Sequence, residues 1–111
     1  MTKIDQTKVR RAFGEAVNMT APELREWLDS DESWAVGFKR DGGDESVGHA
    51  SGRRIVALLE KQSAELSDED YAHMRKVVGY VHRHCAQRPE NIYTSRWRYS
   101  LMNWGHDPLK D

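Results

Sequence analysis

The chain has 111 residues, 17 Lys/Arg against 18 Asp/Glu, a net charge of −1, and 38% hydrophobic with 32% charged residues, which suits one domain spanning 1–111 with a modest core. Four Trp, four Tyr and two Phe exclude a disordered chain, and no apolar run approaches the roughly 20 residues needed to span a bilayer. The opening residues have no apolar signal region and Cys85 is the only cysteine, so the expected setting is a reducing cytoplasm, with no membrane partner.

A first helix is predicted from about Gln6 to Asn18, because Val9, Phe13, Ala16 and Val17 recur on one face of a 3.6-residue period. Thr20-Ala21-Pro22-Glu23 is a capping box that starts a second helix, with Leu24, Trp27 and Leu28 as its buried stripe. From about Asp31 to Gly48 the expectation is a loop or short irregular hairpin, with Asp41-Gly42-Gly43 as a strong turn signal. A third helix is predicted from about Ser51 to Gln62, carrying Ile55, Leu58 and Leu59. Ser67 with Asp70 caps a fourth and longest helix, about Asp68 to Gln87, whose apolar stripe is Tyr71, Met74, Val78, Val81 and Cys85; Pro89 stops it. A last helix runs from about Ser95 to Asn103, with Trp97, Leu101 and Trp104 inward. The expected fold is therefore mainly α, a single compact domain of about five helices with one long irregular Gly/Asp-rich loop.

Charge is unevenly spread along the chain. Met1 to Tyr71 holds 10 Lys/Arg and 15 Asp/Glu, whereas Ala72 to His106 holds six Arg/Lys, four histidines and one acid, Glu90. Such asymmetry points to a nucleic-acid or acidic-partner surface, unless folding mixes the halves and cancels it. Three segments carry the cationic candidates. Gly48-His49-Ala50-Ser51-Gly52-Arg53-Arg54 reads as a glycine-flanked helix start, where free N–H groups, the dipole and two guanidinium forks suit an anion. The alternative is that Arg53 and Arg54 pair with Asp41, Asp44 or Glu45. Arg75, Lys76, Arg83 and Arg88 lie along or just past the fourth helix, either as a face for a phosphate backbone or as an ordinary solvated face. Arg96-Trp97-Arg98-Tyr99 interleaves cations with rings, which suits base stacking but equally gives a core stripe.

A metal site fails on geometry, since positions 82 and 84 stand about 200° apart on a helix. No nucleophile–base pair with an orienting group is visible, and no cofactor motif is present: the chain is read as a non-enzyme with neither metal nor cofactor.

Several long blocks carry a resemblance to a known family: Glu45-Ser46-Val47-Gly48-His49, Ser51-Gly52-Arg53-Arg54-Ile55-Val56, the run from Asp70 to His84, and Arg96 to Pro108. They resemble a small family of unknown function from bacteria and fungi whose members are often labelled DNA-binding proteins. The resemblance covers nearly the whole chain and implies DNA as partner, but no mechanism or catalytic residue. Thr20 to Leu28, a glycine-containing loop and Arg53 to Leu59 are also similar in outline to the SAP-type DNA-binding module. Taken together, the expectation is a nucleic-acid-binding protein, DNA foremost, that touches mainly phosphates through Arg53, Arg54, Arg75, Lys76, Arg83, Arg88, Arg96 and Arg98. The alternative is a protein-interaction or structural module, homodimeric or not and without nucleic-acid binding, marked by an exposed patch of Trp34, Phe38, Tyr93 and Tyr99.

Overall fold

A computed structural model describes residues 5–39, 43 and 45–110 of the chain. Among these residues the fold is six α-helices and no strand: α1 (Gln6–Ala16), α2 (Ala21–Leu28), α3 (Asp31–Ala35), α4 (Val47–Leu59), α5 (Asp68–Cys85) and α6 (Arg96–Asn103), with a 3-10 turn at Ser63–Glu65.

Each helix begins on a side-chain cap. Asp5, Thr20, Ser30, Ser46, Ser67 and Ser95 each accept a backbone N–H from three residues on. Thr20 with Glu23 and Ser67 with Asp70 close full capping boxes, so two helix starts are set by four-residue local chemistry. Asp68, Glu69 and Asp70 occupy the first turn of α5, where the positive end of the helix dipole favours them.

Two helix pairs, α1 with α5 and α2 with α4, make the broadest contacts, and α6 touches α2, α3, α4 and α5. The apolar faces meet in one core built on Phe13, Leu24, Leu28, Ile55, Tyr71, Met74, Val77, Val81 and Leu101. The radius of gyration, 13.9 Å, is close to the roughly 13 Å of a compact domain of this length. Gly52 brings α4 against α6: a Cβ there would stand 2.5 Å from the Asn103 carbonyl oxygen and 2.7 Å from Leu28 Cδ2. Past α6, Gly105 takes φ +83° and turns the chain back, so that His106 Nδ1 meets the Ala16 carbonyl at 2.7 Å and Asn18 and Asp107 bond reciprocally.

Two expectations are corrected. Where a loop was expected from Asp31, Ser30 caps the five-residue helix α3, which buries Ser33 and lays Trp34 over the ring of His49, centroids 3.8 Å apart. The count of α-helices among the described residues is accordingly six. The expected start of the third helix is also four residues late: Ser46 caps α4, so Gly48 and Gly52 lie inside the helix. Of the Asp-Gly-rich turn, residues 40–42 and 44 lie outside the described residues. No helix among the described residues is long and apolar enough to cross a membrane.

Candidate nucleic-acid interface

The eight cationic candidates fall into three groups. Three are engaged by carboxylates. Arg53 forks onto Glu45, its Nε 2.7 Å from Oε2. That bond lowers the Glu45 carboxyl to about 2, with burial opposing and His49 and the Arg53 charge assisting. Arg54 reaches Asp70 at 3.4 Å. Arg98 grips both oxygens of Asp107, at 3.2 and 3.1 Å, and also the Tyr93 carbonyl at 2.8 Å. Arg96 is tied to a backbone group, the Ala35 carbonyl, at 3.1 Å. Arg75, Lys76, Arg83 and Arg88 are exposed, with no hydrogen-bond or ion-pair partner among the described residues.

The expected anion site at Gly48–Arg54 takes a different form. Because α4 starts at Val47, the N–H groups of Ser51, Gly52, Arg53 and Arg54 belong to the helix, and the two arginines project from its middle. The Arg53 guanidinium reaches back to Glu45, the residue before the Ser46 cap, but is held there by that carboxylate.

The structure does bring Lys76 and Arg83 together. They are seven residues apart on α5, two turns or about 10 Å along its axis, and point to the same side. Arg75 is about 100° around the helix from Lys76. Lys76 and Arg83 line a cleft of about 330 Å³ between α4, α5 and α6, together with Gly48, Tyr80 and Trp104, and Phe38 at its rim. A second cleft of about 310 Å³ adjoins it, sharing Lys76 and Trp104 and adding Ser51, Arg54 and His73. Arg83 lies folded along its own helix, and a Cβ on Gly79 would stand 3.0 Å from its Nη1.

Aromatic rings back this groove as a ladder along α5. His73 stacks on Trp104 (6.3 Å, 13°), Trp104 on Tyr80 (4.3 Å, 15°), Tyr80 on His84 (5.0 Å, 16°) and His84 on Trp97 (6.0 Å, 14°). Trp104 is 5% exposed, so it forms a wall and offers no face to a ligand. Phe38, 72% exposed, is the ring a ligand can reach at the rim. Within the ladder, burial lowers His84 and lowers His73 to about 4, the Arg54 and Lys76 charges adding to the shift at His73.

Of the expected aromatic patch, Trp34, Phe38 and Tyr93 are exposed, whereas Tyr99 packs on Trp27 with ring centroids 5.3 Å apart. Gly48 and Ser51, from the glycine-flanked segment, also line the groove region, as do His73, Tyr80 and Trp104, which are not among the sequence candidates for binding. The available signal was the 3–4 spacing of His73, Lys76, Tyr80 and Arg83, a second stripe beside the apolar one. Among the described residues, no group of three or more His, Cys, Asp or Glu side chains is arranged to hold a metal ion.

The chain belongs to the family described as Protein of unknown function (DUF3140), which matches residues 12–102. No curated protein and no solved structure matches the chain.

Proposed function

We propose that this protein binds nucleic acid, and a single strand in preference to a duplex, along the groove between α4, α5 and α6. The observation that carries the reading is the pair Lys76 and Arg83. They are uncommitted cations two helical turns apart over one cleft, with Phe38 exposed at its edge. Spaced cations hold successive phosphates, and a reachable ring stacks on a base without regard to its identity. Arg75 and Arg88 extend the positive field on the solvent side of α5 and beyond its end. Arg53, Arg96 and Arg98 contribute less, because each already has a close acceptor, whereas Arg54 reaches Asp70 only at 3.4 Å.

Preference for a single strand follows from shape. A duplex presents its phosphates on a stiff, convex cylinder. Here the cations sit within a concave surface of the protein, which receives a flexible strand more readily than a rigid helix. DNA is the expected strand, as the family resemblance implies. The test is fluorescence anisotropy with labelled single-stranded and duplex DNA at two salt concentrations. The expected result is tighter binding to the single strand, falling steeply with salt. No binding to either at low salt removes the proposal.

The exposure of Phe38 and Tyr93 favours a second reading, a protein-interaction module. Light scattering and sedimentation separate it: concentration-dependent self-association, abolished by F38S and Y93S together, would favour the second reading.

A further inference from the structure

We propose that the cleft between α4 and α5 at Ser51, Arg54, His73 and Lys76 is a phosphomonoester site. The proposal goes beyond strand binding, since it needs only a terminal phosphate; free phosphate and the phosphorylated end of a strand share that chemistry.

The cleft has about 310 Å³ of space, and its polar groups are poorly used by the fold. Arg54 reaches its one carboxylate, Asp70, at 3.4 Å, while Asp70 is better served by Lys61 Nζ at 2.8 Å and the Ser67 N–H at 3.0 Å. The remaining donors of the Arg54 fork have no acceptor among the described residues, and the Lys76 ammonium has none either. Ser51 Oγ lies 2.9 Å from His73 Nε2, and the imidazole lies within 13° of parallel to the Trp104 ring, centroids 6.3 Å apart. Two cations and a hydroxyl–imidazole pair therefore border one open cleft.

The groups around His73 are Ser51 and Arg54 from α4, Asp70 and Lys76 from α5, and Trp104 after α6. Burial first, then Arg54, then Lys76 lower His73 to about 4, with Asp70 opposing. Without a ligand the ring is neutral and the local field is positive. A phosphomonoester carries up to two negative charges and three acceptor oxygens, and reverses that balance. His73 then takes a proton from solvent, Nε2–H donates to Ser51 Oγ, and the Ser51 hydroxyl turns its proton to a phosphate oxygen. Arg54 and Lys76 supply charge-assisted hydrogen bonds to the others. A phosphodiester has one charge and an ester on both sides, so it is held less well.

The test follows the His73 ring by NMR in the full chain, titrated with inorganic phosphate against chloride at matched ionic strength. In parallel, a single strand is compared with and without a 5′-phosphate. The expected result is a saturable phosphate effect that raises the His73 pKa, and binding about tenfold tighter for the phosphorylated strand. R54Q and K76Q, both surface substitutions, should each weaken phosphate about tenfold, the loss of one charge-assisted hydrogen bond. If phosphate moves His73 but neither strand binds, the site stands and the strand reading fails. If both strands bind alike and His73 ignores phosphate, the site is overturned and the strand reading stands. If R54Q and K76Q stay folded by circular dichroism yet bind phosphate as the parent does, the assignment of these residues is overturned.

Discussion

Trp27 of α2 and Asn103 at the end of α6 share a part-buried hydrogen bond, indole Nε1 to Oδ1 at 2.7 Å, and it completes a three-helix junction. Asn103 is fully buried. Its Oδ1 also accepts the Ser33 hydroxyl, and its Nδ2 donates to the Ser33 carbonyl at 3.1 Å. One amide thus satisfies groups from α2 and α3, and the same helix end borders the candidate groove. N103A would leave two donors and one acceptor unpaired in or near the interior, at about 1–3 kcal/mol per buried group. We expect about 3 kcal/mol of destabilisation in urea unfolding. N103D should also be destabilised, because an oxygen would replace the donor that faces the Ser33 carbonyl. A loss below about 1 kcal/mol for N103A would contradict this role.

Two helical glycines should respond in opposite directions to alanine. Gly52 has the Asn103 carbonyl and Leu28 within 2.7 Å of a would-be Cβ, and the carbonyl is backbone that cannot rotate away. G52A should cost about 2 kcal/mol from overpacking, even after the gain in helix propensity. Gly14 in α1 has nothing within 4 Å of that position. G14A should stabilise by roughly 0.5–1 kcal/mol. Thermal melts of the pair read the sign directly.

What was legible in the sequence was local. Thr20 with Glu23 and Ser67 with Asp70 act within four residues, and the apolar repeat of Phe13 and Ala16, or of Tyr71, Met74 and Val81, needs only one helix to be seen. Helix α3 escaped notice because five residues are too few to show a period. Gly48 and Gly52 read as breakers marking a helix start, whereas both lie within α4 and let α6 and Trp104 approach. The charge segments misled for a related reason. Arg53 finds Glu45, one of the partners weighed for it, but Arg98 finds Asp107 nine residues on and Arg54 finds Asp70 sixteen away, so counting along the chain does not tell which cations remain uncommitted. The ring ladder is less visible still, since it exists only once α5 and the end of α6 lie side by side.

Stability should fall on mild acidification. His73 titrates near 4 in the folded chain against an ordinary 6.5. Above 6.5 the ring is neutral in both states and contributes nothing to pH dependence. Below 6.5 the unfolded chain takes up a proton that the folded chain refuses, so stability drops steadily toward pH 4. His84, also lowered by burial, acts in the same direction. Glu45 adds a separate loss at lower pH: its folded value is about 2 against 4.5, so its contribution is complete above 4.5 and disappears as pH falls toward 2. Between 6.5 and 4.5 the histidines dominate, and H73Q should flatten the curve there. Urea midpoints at several pH values within that window test it; an unchanged slope in H73Q would contradict the half-buried neutral ring.

Salt dependence separates groove cations from structural ones more cleanly than affinity does. R98Q removes the partner of Asp107 and the bond to the Tyr93 carbonyl, and should destabilise the fold by about 1–2 kcal/mol. R53Q frees Glu45 in the same way, with less effect because the arginine is mostly exposed. Either change can lower the fraction of competent protein and so mimic weaker binding. Neither should alter the number of counterions released per binding event. K76Q and R83Q should do so, because each removes a phosphate contact: the slope of log K against log salt should fall by about 0.7 per residue for a single strand. Anisotropy titrations across a salt series therefore give a decisive pattern. Reduced slopes in K76Q and R83Q with parental slopes in R53Q and R98Q locate the strand in the α4–α5–α6 groove. The opposite pattern would move it to the Arg53 and Arg98 surfaces, where the guanidinium groups would have to leave their carboxylates to meet a phosphate.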